Sequence, residues 1–261
     1  MCWGLSGPDD PMMDTCRSCS EEKEQFVAVE TVILQPVEYK AGQNGLGACN
    51  VKWNLTGGVD GTEVWRLDNS CGGVALSQNN YRDFEFNGTF QRQDKDDDSI
   101  GFVFGYEDPG HFYLIIASGD WGTHGQYLKK YIDNVLTFKH LLIVNETKPW
   151  RLVKVASETA TTSNDMMKAI ESGEDTPGQT EVLYRSDIQG WHKDSIYSMS
   201  INYQPSINTL EIMVIKDSQD LWSKLWDKTF LQSKTIGKVG MFAHSQFVRF
   251  YDSTIKEECV I

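Results

Sequence analysis

Four carboxylates stand within five residues at Asp94-Lys95-Asp96-Asp97-Asp98. Charges this dense repel one another unless water screens them or a cation sits among them. Calcium takes six to eight oxygen ligands, which clustered aspartates and loop carbonyls can supply. Asp94, Asp96 and Asp98 share the alternate spacing that opens an EF-hand loop. The rest of that motif is missing, because Ser99 stands where a glycine is required and Gly105 where the closing glutamate belongs. The residues leave two readings open: a calcium loop on another scaffold, and a solvated acidic turn.

The elements on either side read as strands. Phe84, Phe86 and Phe90 recur at even spacing ahead of the turn, the period of a strand with one buried face. After it, the same period places Phe102, Phe104 and Tyr106 on one face. A third strand is predicted over His111–Ala117. It follows a turn at Glu107-Asp108-Pro109-Gly110, where Pro presets one dihedral and Gly is expected to take the positive one. Further short apolar runs divided by turn residues predict strands at Trp150–Val155, Glu181–Arg185, Ile196–Tyr203 and Thr209–Lys216, then at Lys238–His244 and Phe247–Lys256. Gln25–Tyr39 begins the ordered part, with an extended edge segment that ends at Pro36. Val51–Val59 and Thr62–Leu67 read as two short strands with Trp53 and Trp65 as core or inter-sheet anchors. Leu221–Trp226 fits a helical face but is read as strand or irregular. Ser163-Asn164-Asp165 caps one short helix near 164–171, which Gly173 ends. This pattern excludes a βαβ fold and predicts an all-β, large antiparallel β-sandwich.

An ordered set of short motifs runs through these strands. They are Asn87-Gly88-Thr89-Phe90, Asp96-Asp97-Asp98, Gly101-Phe102-Val103-Phe104-Gly105-Tyr106 and His111-Phe112-Tyr113. Thr176-Pro177-Gly178-Gln179, Gly190-Trp191, Asp227-Lys228-Thr229 and Phe250-Tyr251-Asp252 through Cys259 follow. The set, covering roughly residues 50 to 261, resembles the C-terminal domain of thrombospondins. The resemblance implies a sandwich of the L-type lectin, concanavalin-like jelly-roll kind that binds calcium and works in cell adhesion and extracellular matrix. It makes Asp96, Asp97 and Asp98 the family's acidic calcium loop, which Asp94 joins as a candidate ligand on the spacing given above. It also implies a disulfide between a cysteine early in the domain and one near its end, here Cys71 and Cys259, worth roughly 4–5 kcal/mol on the chain-entropy account. The Asp-rich type 3 repeats that precede the domain in thrombospondins are absent.

Composition sets the wider bounds. The 261 residues carry a formal net charge of −13. That excludes nucleic acid and anionic membranes as natural partners, since both call for a cationic face. No run of 18 apolar residues is present to span a membrane. Met1-Cys2-Trp3-Gly4-Leu5 lacks the regions of a signal peptide, so a secreted protein would be a processed or excerpted chain. Residues 1–24, which contain Cys2, Cys16 and Cys19, read as a cysteine-containing tail ahead of a single sandwich domain over 25–261. Six cysteines allow fifteen pairings, so count alone fixes none. Three sequons begin at Asn54, Asn87 and Asn145 and support an extracellular, glycosylated protein.

Enzyme readings find no footing. The carboxylate pair of a sugar hydrolase, a zinc-spaced histidine pair, a nucleophile elbow and a phosphate loop are all missing from the sequence. The expectation is therefore a non-enzymatic, calcium-binding adhesion or matrix domain. Its partners would be extracellular or matrix proteins, met in part through the N-terminal tail and the 119–150 insertion. One alternative is a carbohydrate-binding lectin, taking glycans on Tyr113, Trp121 and Tyr127. The other is a structural subunit of an extracellular fibre or coat.

Overall fold

The aromatic periods on either side of the acidic turn become the middle of two facing sheets. The computed structural model describes residues 23–33, 51–55, 63–67, 72–93, 98–119, 151–156, 170, 175, 177–178, 180–186, 190–192, 195–226, 236–244 and 246–257. Within them the strands are β1 (Glu24–Gln25), β2 (Ala28–Ile33), β3 (Trp53–Asn54), β4 (Val64–Arg66), β5 (Gly73–Ser77), β6 (Phe84–Arg92), β7 (Ser99–Asp108) and β8 (His111–Ser118). They continue with β9 (Arg151–Ala156), β10 (Thr180–Arg185), β11 (Ile196–Gln204), β12 (Thr209–Lys216), β13 (Gln219–Trp226), β14 (Lys238–Ala243) and β15 (Val248–Glu257). One sheet has the order β13-β12-β11-β6-β15-β4-β3, with β1 added on β15; the other runs β10-β9-β8-β7-β14-β5-β2. Every ladder is antiparallel. This is the all-β sandwich that the sequence predicts, and 219–226 is a strand. Of the stretch predicted as a short helix, only Ile170 is described; it is helical and buried.

The core lies between the sheets. From one side come Phe84, Phe86, Phe90, Tyr197, Ile201, Tyr203, Ile212 and Phe250, and from the other Phe102, Phe104, Tyr113, Ile115 and Met241. Phe102 meets Phe86 at 5.5 Å and Phe250 at 5.6 Å, and Phe104 stacks on Tyr113 at 5.2 Å. Such ring pairs add roughly 0.5–1.5 kcal/mol each beyond area burial. β7 and β8 are buried on both faces, so their sequences read as continuous apolar runs. A second cluster, with Val103, Leu114, Ile116, Val74, Phe242 and Ile170, fills the outer face of their sheet.

Three expectations are corrected. Tyr106 does not share a face with Phe102 and Phe104, but packs in the outer cluster 5.7 Å from Phe112. The reason is a bulge: Lys238 pairs with Tyr106 and Gly240 with Val103, so two residues of β7 oppose the single Val239. Gly105, at φ 56°, takes the left-handed conformation that the bulge requires. Gly237 faces it so closely that an added Cβ would lie 2.4 Å from the Gly105 carbonyl carbon. Second, Gly110 does not take a positive φ. The β7–β8 turn is tied instead by Asp108, whose Oδ1 accepts the Gly110 N–H at 2.7 Å and lies 2.9 Å from His111 Nδ1. A carboxylate only accepts, so the His111 Nδ1 carries the proton. Third, Trp65 is on the outer face, while Arg66 turns inward at 1 % exposure and lies 5.3 Å over the Trp53 ring.

Candidate calcium loop

The acidic segment connects β6 to β7 and so crosses from the centre of one sheet to the centre of the other. Asp94, Asp96 and Asp97 lie outside the described residues. Asp98 is described, half-buried, at the entry to β7. Both roots of the segment are anchored. On the β7 side the Ser99 hydroxyl is buried and bonds that of Ser118 at 2.9 Å, and the Ser99 carbonyl accepts the His244 N–H at 2.9 Å. On the β6 side the Gln93 N–H donates to the Phe247 carbonyl at 3.0 Å. The Arg92 guanidinium lies 5.1 Å over the ring of Trp191. That indole is 1 % exposed and donates to the Ala117 carbonyl at 3.2 Å.

The registers gather further segments at this end. Ser99 pairs with Ser118, Ile100 with Ala243, Gln91 with Ile196 and Arg92 with Val248. The exit of β8 at Ser118 and the entry of β9 at Arg151, which bracket the predicted 119–150 insertion, are therefore here too. The Asp217-Ser218 turn between β12 and β13 closes the same end. Asp217 Oδ1 accepts the Ile196 N–H at 2.9 Å, and that bond holds its carboxyl below the usual carboxylate value. Tyr197, buried beside it, accepts the His192 N–H at 2.7 Å, and burial pushes its phenol up to about 12.

Among the described residues no group of three or more His, Cys, Asp or Glu could hold a metal ion. The donor set that the sequence offers is Asp98 together with Asp94, Asp96 and Asp97. The donor set suits a hard cation, being all oxygen and strongly anionic, and its two roots are fixed by the bonds above. The structure separates the other predicted site residues. Asn87 is half-buried in the middle of β6, on the outer face, and its amide donates to Glu85 Oε1 at 2.9 Å. Asn54 is half-buried at the end of β3. Asn145, Trp121, Tyr127, the N-terminal tail over 1–22, and Cys71 and Cys259 lie outside the described residues. Tyr113 is 2 % exposed and stacked in the core, so it cannot form a platform for a sugar.

The model of the thrombospondin C-terminal region matches residues 49–260. The chain belongs to this family. Thrombospondin-2 of Gallus gallus is 27 % identical over 210 residues, which cover 76 % of this chain and 16 % of that protein. The cartilage oligomeric matrix protein of Bos taurus is 22 % identical over 236 residues, covering 87 % of this chain and 28 % of the relative. The chain thus spans well under a third of the length of these relatives. Among solved structures, the exoplasmic/lumenal domain of VIP36 in its Ca2+-bound form is 13 % identical, with a TM-score of 0.48 over 93 % of this chain and 94 % of that one. Membership in the thrombospondin C-terminal family makes this antiparallel sandwich an extracellular matrix domain. No helix among the described residues is long and apolar enough to cross a membrane.

Proposed function

We propose that this chain is a calcium-stabilised adhesion domain that meets other extracellular proteins and acts by binding rather than by catalysis. The observation that carries the reading is the acidic connection itself: four aspartates in five residues on the crossing between the two central strands. Calcium at this crossing neutralises carboxylates that otherwise repel one another, and ties the two sheets at one end. Fixing the loop also lowers the entropy lost when a partner docks beside it. The anchored Ser99, Gln93 and Trp191 supply a rigid frame for such a loop. The net charge of −13 suits basic protein partners. Glycans, in this reading, are attached at Asn54 and at Asn87 or Asn145 rather than bound as ligands, since Tyr113 is spent in the core.

The direct test is calorimetric titration of the chelator-stripped chain with calcium. The expected result is saturable binding that is lost in an Asp96→Asn, Asp97→Asn, Asp98→Asn triple variant. Equal binding by wild type and variant would move calcium away from this loop.

A further inference from the structure

The far end of β7 carries a second feature. A cleft of about 580 Å3 opens between edge strand β2, the β7–β8 turn and the residues leading into β14. Glu30, Glu107 and Asp108 line it, with Ile236 and Val32 giving it an apolar wall. Lys238, the one cation among the described lining residues, is ion-paired with Glu30. Asp108 is engaged in holding the turn, which leaves Glu107 exposed at the rim.

The floor is Tyr106. It is only 6 % exposed, yet it lines the cleft, and its hydroxyl has no hydrogen-bond partner among the described residues. Burial, then the negative charges of Glu30 and Asp108, push the phenol above its ordinary range, so it remains a neutral hydroxyl. The Gly105 bulge is what places it here. Without the extra residue Tyr106 would follow Phe102 and Phe104 into the core; with it, the ring turns out to the cleft. Bulges that re-aim a single side chain are characteristic of binding sites.

We propose that this cleft receives a lysine or arginine side chain from a partner protein. The ammonium or guanidinium donates to the Tyr106 hydroxyl oxygen and pairs with Glu107, while the aliphatic stem lies along Ile236 and Val32. A bare metal ion is poorly served here, because part of the lining is apolar and the phenol is neutral. The inference deepens the protein-contact reading and rests on it. It is independent of the calcium loop, which lies at the other end of a ten-residue strand, roughly 30 Å away.

The test is an NMR titration of the folded, calcium-loaded chain with acetyl-Gly-Gly-Lys-Gly-Gly-amide, against the same peptide with norleucine for lysine. The lysine peptide is expected to shift the Glu107–Gly110 and Ile236 amides saturably, and the norleucine peptide to leave them unmoved. Tyr106→Phe and Glu107→Gln should each weaken binding about tenfold, the loss of one charge-assisted bond. Tyr106→Phe should keep the wild-type melting temperature, since its hydroxyl makes no bond among the described residues. Glu211→Gln, an exposed charge on β12 of the other sheet, should leave binding unchanged. Absence of a saturable shift, wild-type affinity in Tyr106→Phe and Glu107→Gln, or equal weakening by Glu211→Gln would each overturn the proposal. Calcium-dependent melting is followed on the same samples. If it persists while peptide binding fails, the cleft alone is refuted and the calcium reading stands.

Discussion

Glu63, Trp65, Arg249 and Tyr251 form a cluster on the outer face of the β4–β15 pair. The Arg249 guanidinium lies 4.4 Å over the Tyr251 ring and 5.6 Å over Trp65, and it is ion-paired with Glu63. That bond holds the Glu63 carboxyl below its ordinary value; slight burial opposes it, and the Trp65 indole N–H, 2.9 Å away, adds to it. The sign follows. A carboxyl whose folded value is depressed contributes stability that is fully present above its unfolded value of 4.5 and is lost as pH falls through the folded one. Glu63→Gln should therefore melt lower than wild type at neutral pH, by about 1 kcal/mol or less, as for partly exposed ion pairs. The two curves should converge below the depressed value, and thermal melts from pH 7 to pH 3 measure this. This cluster was not legible in the sequence. β4 is three residues long, too short for alternation to say which way Trp65 faces, and a tryptophan beside an arginine reads as the buried one of the two. The opposite holds, because Arg66 finds the Trp53 ring inside.

At the scale of elements, two-residue turns and bulges decide where side chains go. Asp217 and Ser218, at φ 49° and 67°, form the doubly left-handed turn that matches the twist of β12 and β13. Asp tolerates that conformation and uses its carboxylate to hold Ile196, whereas Ser218 gains nothing comparable. Ser218→Gly should raise stability by about 0.5–1 kcal/mol, the relief of left-handed strain less the added chain entropy. Urea unfolding measures it, and a lower midpoint would show that the serine contributes something the backbone geometry does not account for. The sequence marks this turn by its polar run, and it marks most strands by aromatic alternation. It does not mark the Gly105 bulge. A glycine inside an aromatic strand looks like one more strand residue, and a period of two carried straight through it sends Tyr106 to the wrong face. The local pattern holds no sign that β14 pairs one residue out of step.

For the whole molecule, the sandwich follows from many weak signals that agree. Short alternating runs, turn residues between them and the ordered family motifs all point to antiparallel sheets, and the strand order agrees with them. Cysteine pairing was not legible in the same way, because six cysteines leave fifteen pairings open. The acidic loop was legible in composition, and its position became clear only with the topology: it is the crossing between the two central strands. Its four carboxylates repel one another where the two sheets are joined, and this gives calcium its structural role in the account.

The measurement that tests this most directly is thermal unfolding of the oxidised chain in calcium and in chelator, for wild type and Asp97→Asn. The account predicts that calcium raises the melting temperature of the wild type and that the variant loses most of that rise. Identical melting of the wild type with and without calcium would contradict it, and would make the four aspartates a solvated turn on an otherwise unchanged sandwich.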